Sequence, residues 1–406
     1  MEYLTLNDVD TEDKTVFLRL DINVPINPET GQILNDARIR AAVPTLKNLK
    51  NARVVVGSHQ SRPGKDDFIS LQAHALALRK YFGWRVKFID DVIGPKAREE
   101  IRKVEKGEVL VLDNLRLCSE ENIEAPPEKL VKTIFIRRLA PLFDLFVNDA
   151  FAAAHRSQAS IVGFAELMPA VAGKTMEREL KALEATLEKP KRPCVYVLGG
   201  IKVADRIPVL ENVLGSGEAD KILLGGLLAE FFLYAAGHRL GQKNEEKLKG
   251  FLPLLDRAKK LLEAYKDRLI LPSDLAVLEN GERVEKRVKE FPLNSVAQDI
   301  GVDTLVSYRG IIKKAGTVIA DGPVGVFEKE PFSLGTREIL EAMAESNAFT
   351  VVGGGHVGGA AELMGLKEKI GHISTGGGAM LAYLSGQKLP ALEALKKAAR
   401  RFKGKT

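Results

Sequence analysis

The sequence predicts an α/β protein built from two doubly wound parallel-sheet, Rossmann-like domains joined by a hinge helix. Three observations carry the prediction. Short runs of Val, Ile and Leu recur without polar alternation, the pattern of strands buried on both faces. Amphipathic helical stretches separate those runs along the whole chain. The length, 406 residues, accommodates two domains of ~200 residues, each large enough to bury its own core.

In chain order, the strands of the first half are Thr15–Leu20, Arg53–Ser58, Val109–Leu112 and Leu145–Asn148. Those of the second half are Val195–Leu198, Lys221–Leu224, Leu269–Leu271, Thr317–Ala320 and Thr350–Val352. Helical periodicity covers Leu71–Phe82, Glu128–Leu139, Met176–Leu187, Pro253–Tyr265 and Thr336–Glu345. The stretch from Gly173 through Leu187 reads as one polar helix with few apolar neighbours, stopped by the segment from Glu188 to Pro193. Such a helix suits a rigid connector. The expected domains are therefore residues 1–170 and 171–389, with a basic tail helix, Leu395–Lys405, in the segment 390–406.

Composition narrows the function classes. Hydrophobic residues make up 45% and charged residues 28%, which describes a folded globular chain. Sixty Lys+Arg against 54 Asp+Glu leave a net charge of +6, a mild bias toward anionic ligands. Aromatics are only 6% and no RNA-binding motif is present, which speaks against a nucleic-acid partner. The longest apolar stretch, Ile222–Gly237, is interrupted by Glu230 and is too short to span a bilayer. Without a signal region, and with only Cys118 and Cys194, the expectation is a cytoplasmic protein with reduced thiols and no membrane partner.

Ligands of open parallel sheets bind beyond the carboxyl ends of the strands, and there the unusual residues cluster. In the first half the strand ends run into Asp21 and Asn23, into His59 and Arg62, into Asn114 and Arg116, and into His155 and Arg156. From Arg38 to Lys65 there are seven Lys/Arg and no Asp/Glu. Guanidinium forks suit phosphate and carboxylate, so this edge reads as an anion site. In the second half the strand ends deliver glycines instead: Gly199-Gly200, Gly225-Gly226, Gly322 through Gly325, Gly353-Gly354-Gly355 and Gly376-Gly377-Gly378. Glycine lets backbone amides approach phosphate oxygens, and a helix start adds partial positive charge. Lys202 and Arg206 stand four apart at one such start, and Glu328 can take ribose hydroxyls.

Two familiar fingerprints fail. Gly353-x-Gly355-x-x-Gly358 follows a strand, but no carboxylate ends the next one, where Lys369–Ser374 stands; a nicotinamide dehydrogenase is disfavoured. Gly-Lys-Thr occurs at Gly173–Thr175 and Gly404–Thr406, but Met168 and Ala399 occupy the position of the first P-loop glycine. An anion site on one sheet and a nucleotide site on another point to phosphoryl transfer with hinge closure. The competing reading is a non-enzymatic protein that binds a phosphate ligand.

Seven segments in order, Arg19–Pro25, Ser58–Pro63, Asn114–Arg116, Ala154–Arg156, Leu198–Val203, Gly322–Glu328 and Ser374–Gly378, resemble phosphoglycerate kinase. The resemblance covers nearly the whole chain and points to an archaeal-like member. It implies reversible transfer between ATP and the carboxylate of 3-phosphoglycerate, giving 1,3-bisphosphoglycerate and ADP, with Mg²⁺ carried by the nucleotide. By resemblance, Asp21 and Asn23 hold the glycerate hydroxyl region, His59, Arg62, Arg116 and Arg156 the 3-phosphate, and Arg38 the reacting carboxyl end. Lys202 and Arg206 contact phosphates, Gly225, Gly226 and Gly301 line the base pocket, Glu328 takes the ribose, and Gly354, Gly355, His356 and Val357 line the phosphate end. The chain departs from bacterial and eukaryotic members at three positions. His356 stands for an Asp that faces the metal, so no protein ligand to the metal is assigned. Arg206 stands for a Lys and Asp321 for an Asn. The resemblance also implies that the tail returns to the first domain. The oligomeric state is left as monomer or homodimer.

Overall fold

The computed structural model describes residues 2–187 and 190–402, without the side chains of Trp84, Leu187 and His356. The chain divides into two compact units, Met1–Leu180 with Lys388–Thr406, and Lys181–Gln387.

The first unit holds a six-stranded sheet of β1 (Thr15–Leu20), β2 (Arg53–Gly57), β3 (Val86–Ile89), β4 (Val109–Leu112), β5 (Leu145–Asp149) and β6 (Ala170–Ala172). The order is β3-β4-β2-β1-β5-β6 and every pairing is parallel. β1 is central, with Val16, Phe17, Leu18 and Leu20 wholly buried. One face of β1 puts Phe17 among Phe143, Phe146 and Phe164, with ring centroids 5.2, 6.0 and 4.4 Å away. The strand order reverses at β1, because β2 lies on one side of it and β5 on the other. Arg19 is paired in register with Gly57 and with Asn148, so three loops leave the sheet at one level.

The second unit holds a matching parallel sheet. Its strands are β7 (Cys194–Leu198), β8 (Lys221–Leu224), β9 (Leu269–Ile270), β13 (Thr317–Asp321), β14 (Phe349–Gly353) and β15 (His372–Ile373), in the order β15-β14-β13-β7-β8-β9. Here the order reverses between β7 and β13. A small antiparallel sheet, β10 (Asp274–Glu279), β11 (Glu282–Arg287) and β12 (Ala297–Ile300), is inserted after β9, with β10 in the middle. Both cysteines are free thiols. No described helix is long and apolar enough to cross a membrane.

All nine expected strands are present, and the buried-on-both-faces pattern accounts for them. The expected helix Glu128–Leu139 is instead two pieces, Pro127–Leu130 and Ile134–Leu139. Thr133 starts the second by accepting a hydrogen bond from the amide of Ile136, a cap that interrupts the first. The connector helix runs Lys174–Leu187, with Glu188 and Lys189 outside the described residues. It is not a lightly packed polar rod. Thr175, Met176, Glu177, Glu179 and Leu180 are buried. Asp149 at the end of β5 accepts from the amides of Thr175 (2.8 Å) and Met176 (3.0 Å). Burial pushes the Asp149 carboxyl up to about 6, against these hydrogen bonds and that of Thr45. The two units divide within this helix, at Leu180/Lys181.

The tail helix runs Pro390–Arg401, with residues 403–406 outside the described residues. It belongs to the first unit. Lys397 pairs with Glu166 (2.7 Å) and Lys396 with Glu2 (2.8 Å). The amide of Ala391 donates to the carbonyl of Ala154 (3.1 Å), so the helix start props the loop that carries His155 and Arg156.

Candidate active site

In the first unit, the loops that follow β1, β2 and β4 are tied together by side-chain hydrogen bonds. Ser58 Oγ accepts from the amide of Ile22 (3.2 Å) and Gln60 Oε1 from that of Val24 (3.1 Å). Asn23 Oδ1 accepts from the amide of Ser61 (3.1 Å), and Asn114 Nδ2 donates to the carbonyl of Gln60 (2.8 Å). Arg116 donates to the carbonyl of Ser61. Ser61 has φ of +55°, an uncommon conformation for a residue with a Cβ, held by these bonds. Arg62 follows it and is exposed.

Arg38 lies on the helix Ala37–Asn48, and its Nη1 sits 3.0 Å from both oxygens of Asp21. Burial alone would raise the Asp21 pKa; the guanidinium of Arg38, with Arg19 behind it, outweighs burial and holds the carboxyl below its ordinary value. Arg116 is buried and pushed down to about 10 by burial, and by Arg156 and Arg19 nearby. Arg156 pairs with Glu124 at 3.5 Å. The edge therefore gathers Arg38, Arg116 and Arg156 around Asp21 and His59, more positive charge than its carboxylates balance.

Sequence reasoning missed the support behind His59. Arg19, 1% exposed, donates from Nε to Ser160 Oγ (2.7 Å), from Nη1 to the carbonyl of Leu20, and from Nη2 to His59 Nδ1 (3.1 Å). Glu121, also buried, lies 3.9 Å from Arg19 and accepts from the amide and hydroxyl of Ser160. A guanidinium has no acceptor, so His59 Nδ1 accepts and the ring proton sits on Nε2. Burial, then Arg19, drives the His59 pKa well below the ordinary imidazole value, against Asp21. His59 is a neutral donor at pH 7, not a cation. The signal was a single Arg inside the apolar run Val16–Leu20.

In the second unit the strand ends enclose a cavity of about 970 Å³. Its wall includes Lys202, Arg206, Gly226, Glu328, Gly354, Gly355 and Val357. Four helices start there: Val203–Gly215, Gly226–Ala235, Gly355–Leu363 and Gly377–Leu384. Their first amides have no intrahelical partner, and their dipoles point positive ends inward. Gly226 has φ of +56°, and a Cβ on it would lie 2.8 Å from the amide nitrogen of Gly200. Only glycine starts a helix this close to the neighbouring loop. The Gly200 amide in turn donates to the carbonyl of Pro323 (2.7 Å), closing the seam between the β7 and β13 loops.

Two expected pocket residues lie elsewhere. Gly301 starts the helix Val302–Ile312, and a Cβ there would meet the carboxyl of Asp274 at 2.2 Å; the cavity wall at that end is Val296–Asp299 instead. Gly225 packs under Val324, one residue outside the wall that Gly226 forms. The His356 side chain lies outside the described residues. Glu230, read in the sequence only as a break in an apolar run, lines the cavity and pairs with Lys247 (2.7 Å). Arg206 lines the cavity with its Nη2 drawn to Asp321 Oδ2, 2.5 Å away.

A family model described as phosphoglycerate kinase matches residues 6–387. The chain is 47% identical over 399 residues to phosphoglycerate kinase of Methanobacterium bryantii, covering 97% of each. The chain belongs to the phosphoglycerate kinase family. It is likewise 47% identical over 396 residues to the phosphoglycerate kinase of Saccharolobus solfataricus, covering 96% of each. The crystal structure of the phosphoglycerate kinase from Pyrococcus horikoshii OT3 matches with a TM-score of 0.91 at 42% identity, over 98% of this chain and all of that one (100%). The family resemblance read in the sequence is thereby established, and with it an enzyme: a kinase whose substrates are phosphoglycerate and ATP or ADP. The dehydrogenase and the non-enzymatic binding protein find no support.

Proposed function

We propose that the chain transfers the γ-phosphoryl group of magnesium ATP to the carboxylate of 3-phosphoglycerate, and the reverse, with the nucleotide held by the second unit and phosphoglycerate by the first. The observation that carries the reading is the convergence of four helix N-termini, with Lys202 and Arg206, on one cavity of nucleotide size. Their amides and cations suit a polyphosphate, and Glu328 in the same wall suits ribose hydroxyls.

In the first unit, Arg62, Arg116 and Arg156 offer forks to the 3-phosphate, and neutral His59 donates to it from Nε2. Asp21 and Asn23 orient the glycerate hydroxyl. Arg38, steadied by Asp21, faces the carboxyl end and balances charge as the phosphoryl group moves. The nucleophile is a carboxylate, already ionised at pH 7, so no protein base is needed. Positioning and charge neutralisation carry the rate. Among the described residues no group of three His, Cys, Asp or Glu side chains can hold a metal ion. Asp321, at the end of β13 in the cavity wall, is engaged by Arg206. The proposed reaction keeps magnesium on the nucleotide substrate.

Calorimetry tests the division of labour. Arg116→Ala should abolish binding of 3-phosphoglycerate and leave ADP affinity unchanged, and Lys202→Ala should do the opposite. Loss of both ligands in either folded variant would refute the assignment.

A further inference from the structure

Arg206 and Asp321 form a buried pair at the seam of the nucleotide cavity. Their side chains are 6% and 2% exposed, and both line the cavity. The pair is wedged among glycine loops. A Cβ on Gly322 would lie 3.0 Å from Arg206 Nη2, and Cβ atoms on Gly353 and Gly354 would lie 3.0 and 3.2 Å from Asp321 Oδ1. The carboxylate thus sits between the phosphate-binding loops after β7, β13 and β14. Lys202 and Asp205 are the other charged groups that act on it.

The guanidinium is only partly used. Nη2 lies 2.5 Å from Asp321 Oδ2 as an ion pair, but Nε and Nη1, and Oδ2 itself, are buried and find no hydrogen-bond partner among the described residues. Buried donors without acceptors are destabilising, so the arrangement is incomplete until an anion supplies oxygens. Arginine can bridge two anions because its donors lie on different edges of a rigid plane. A lysine ammonium is a point charge, and Asp321 would draw it away from a phosphate.

We propose that Asp321 is a positioning residue that fixes the Arg206 guanidinium on one edge so that its remaining donors receive a nucleotide phosphate, and that the two residues work as one unit. The inference rests on the second unit holding the nucleotide. With nucleotide absent, the carboxylate spares the cavity wall an uncompensated buried cation. With nucleotide bound, it sets the angle of the fork rather than touching the substrate itself.

The test is a double-mutant cycle of Arg206→Lys, Asp321→Asn and the double variant, read by kcat, by KM for each substrate, and by ADP affinity from calorimetry. Each single variant should lower kcat and weaken ADP at least about tenfold. The double variant should return to within about threefold of wild type. KM for 3-phosphoglycerate should not move. Factors that multiply independently in the double variant would overturn the proposal, as would a folded Asp321→Asn variant within twofold of wild type. If Asp321→Asn does not fold, recovery of folding in the double variant supports the unit, and failure of both makes Asp321 purely structural and overturns it. A wild-type protein that binds ADP but does not turn over refutes the proposed reaction, while the ADP affinities of the four proteins still decide the coupling.

Discussion

Replacing Arg19 by Met removes the cation buried behind His59 and leaves its partners in place. The cost follows from geometry. At 3.9 Å from Glu121, and with an effective dielectric constant of about 20, the attraction lost is about 4 kcal/mol. Breaking a buried ion pair by removing one partner costs about 3–5 kcal/mol for the same reason, an orphaned charge. Ser160 Oγ, the Leu20 carbonyl and His59 Nδ1 each lose a donor as well. The chain has one Trp, Trp84, in the first unit, so its fluorescence in a urea titration follows that unit. Arg19→Met should lose about 4 kcal/mol. Adding Glu121→Gln should recover at least about half of that loss, because the orphaned carboxylate is then gone. KM for 3-phosphoglycerate should rise in both variants, as His59 loses the bond that fixes its proton on Nε2, while KM for ATP stays constant. Additive losses in the double variant, or a loss below about 1 kcal/mol in Arg19→Met, would refute the account of the buried cluster.

Other expectations follow from single positions. His74 is fully buried, its Nε2 lies 3.0 Å from Gln60 Oε1, and burial lowers it to about 4. The unfolded chain takes up that proton near pH 6.5 and the folded chain does not, so stability falls as pH drops from 6.5 toward 4, by about 3 kcal/mol for this group. His74→Gln should flatten the urea-midpoint profile by that amount across the window; parallel profiles would contradict it. Gly226→Ala forces a Cβ into positive φ and within 2.8 Å of the Gly200 amide nitrogen, and should weaken ADP at least about tenfold without touching 3-phosphoglycerate binding.

Much of this architecture was legible in the residues because parallel strands buried on both faces have few ways to be written. The edge strands of the first sheet, β3 and β6, were not. Val86–Ile89 carries Lys87, and Ala170–Ala172 is three small residues, so neither gives a clear apolar run. The hairpin β10–β11 turns at Asn280-Gly281, with φ of +52° and +84°, a strong turn signal that was overlooked because β11 is almost wholly charged. In the site, the residues at strand ends stand out in the sequence by type and position. What escaped was their support, Arg19–Ser160–Glu121 and Arg206–Asp321, because a buried ion pair joins residues far apart in the chain.

The most direct test of the central claim is hydroxylamine trapping of the acyl phosphate from 3-phosphoglycerate and magnesium ATP, with wild type and Arg38→Ala side by side. The account predicts hydroxamate from the wild type and its loss in the variant, with 3-phosphoglycerate still bound. No hydroxamate from folded wild type would contradict the kinase reaction, and full activity in Arg38→Ala would contradict the place given to Arg38 at the reacting carboxylate.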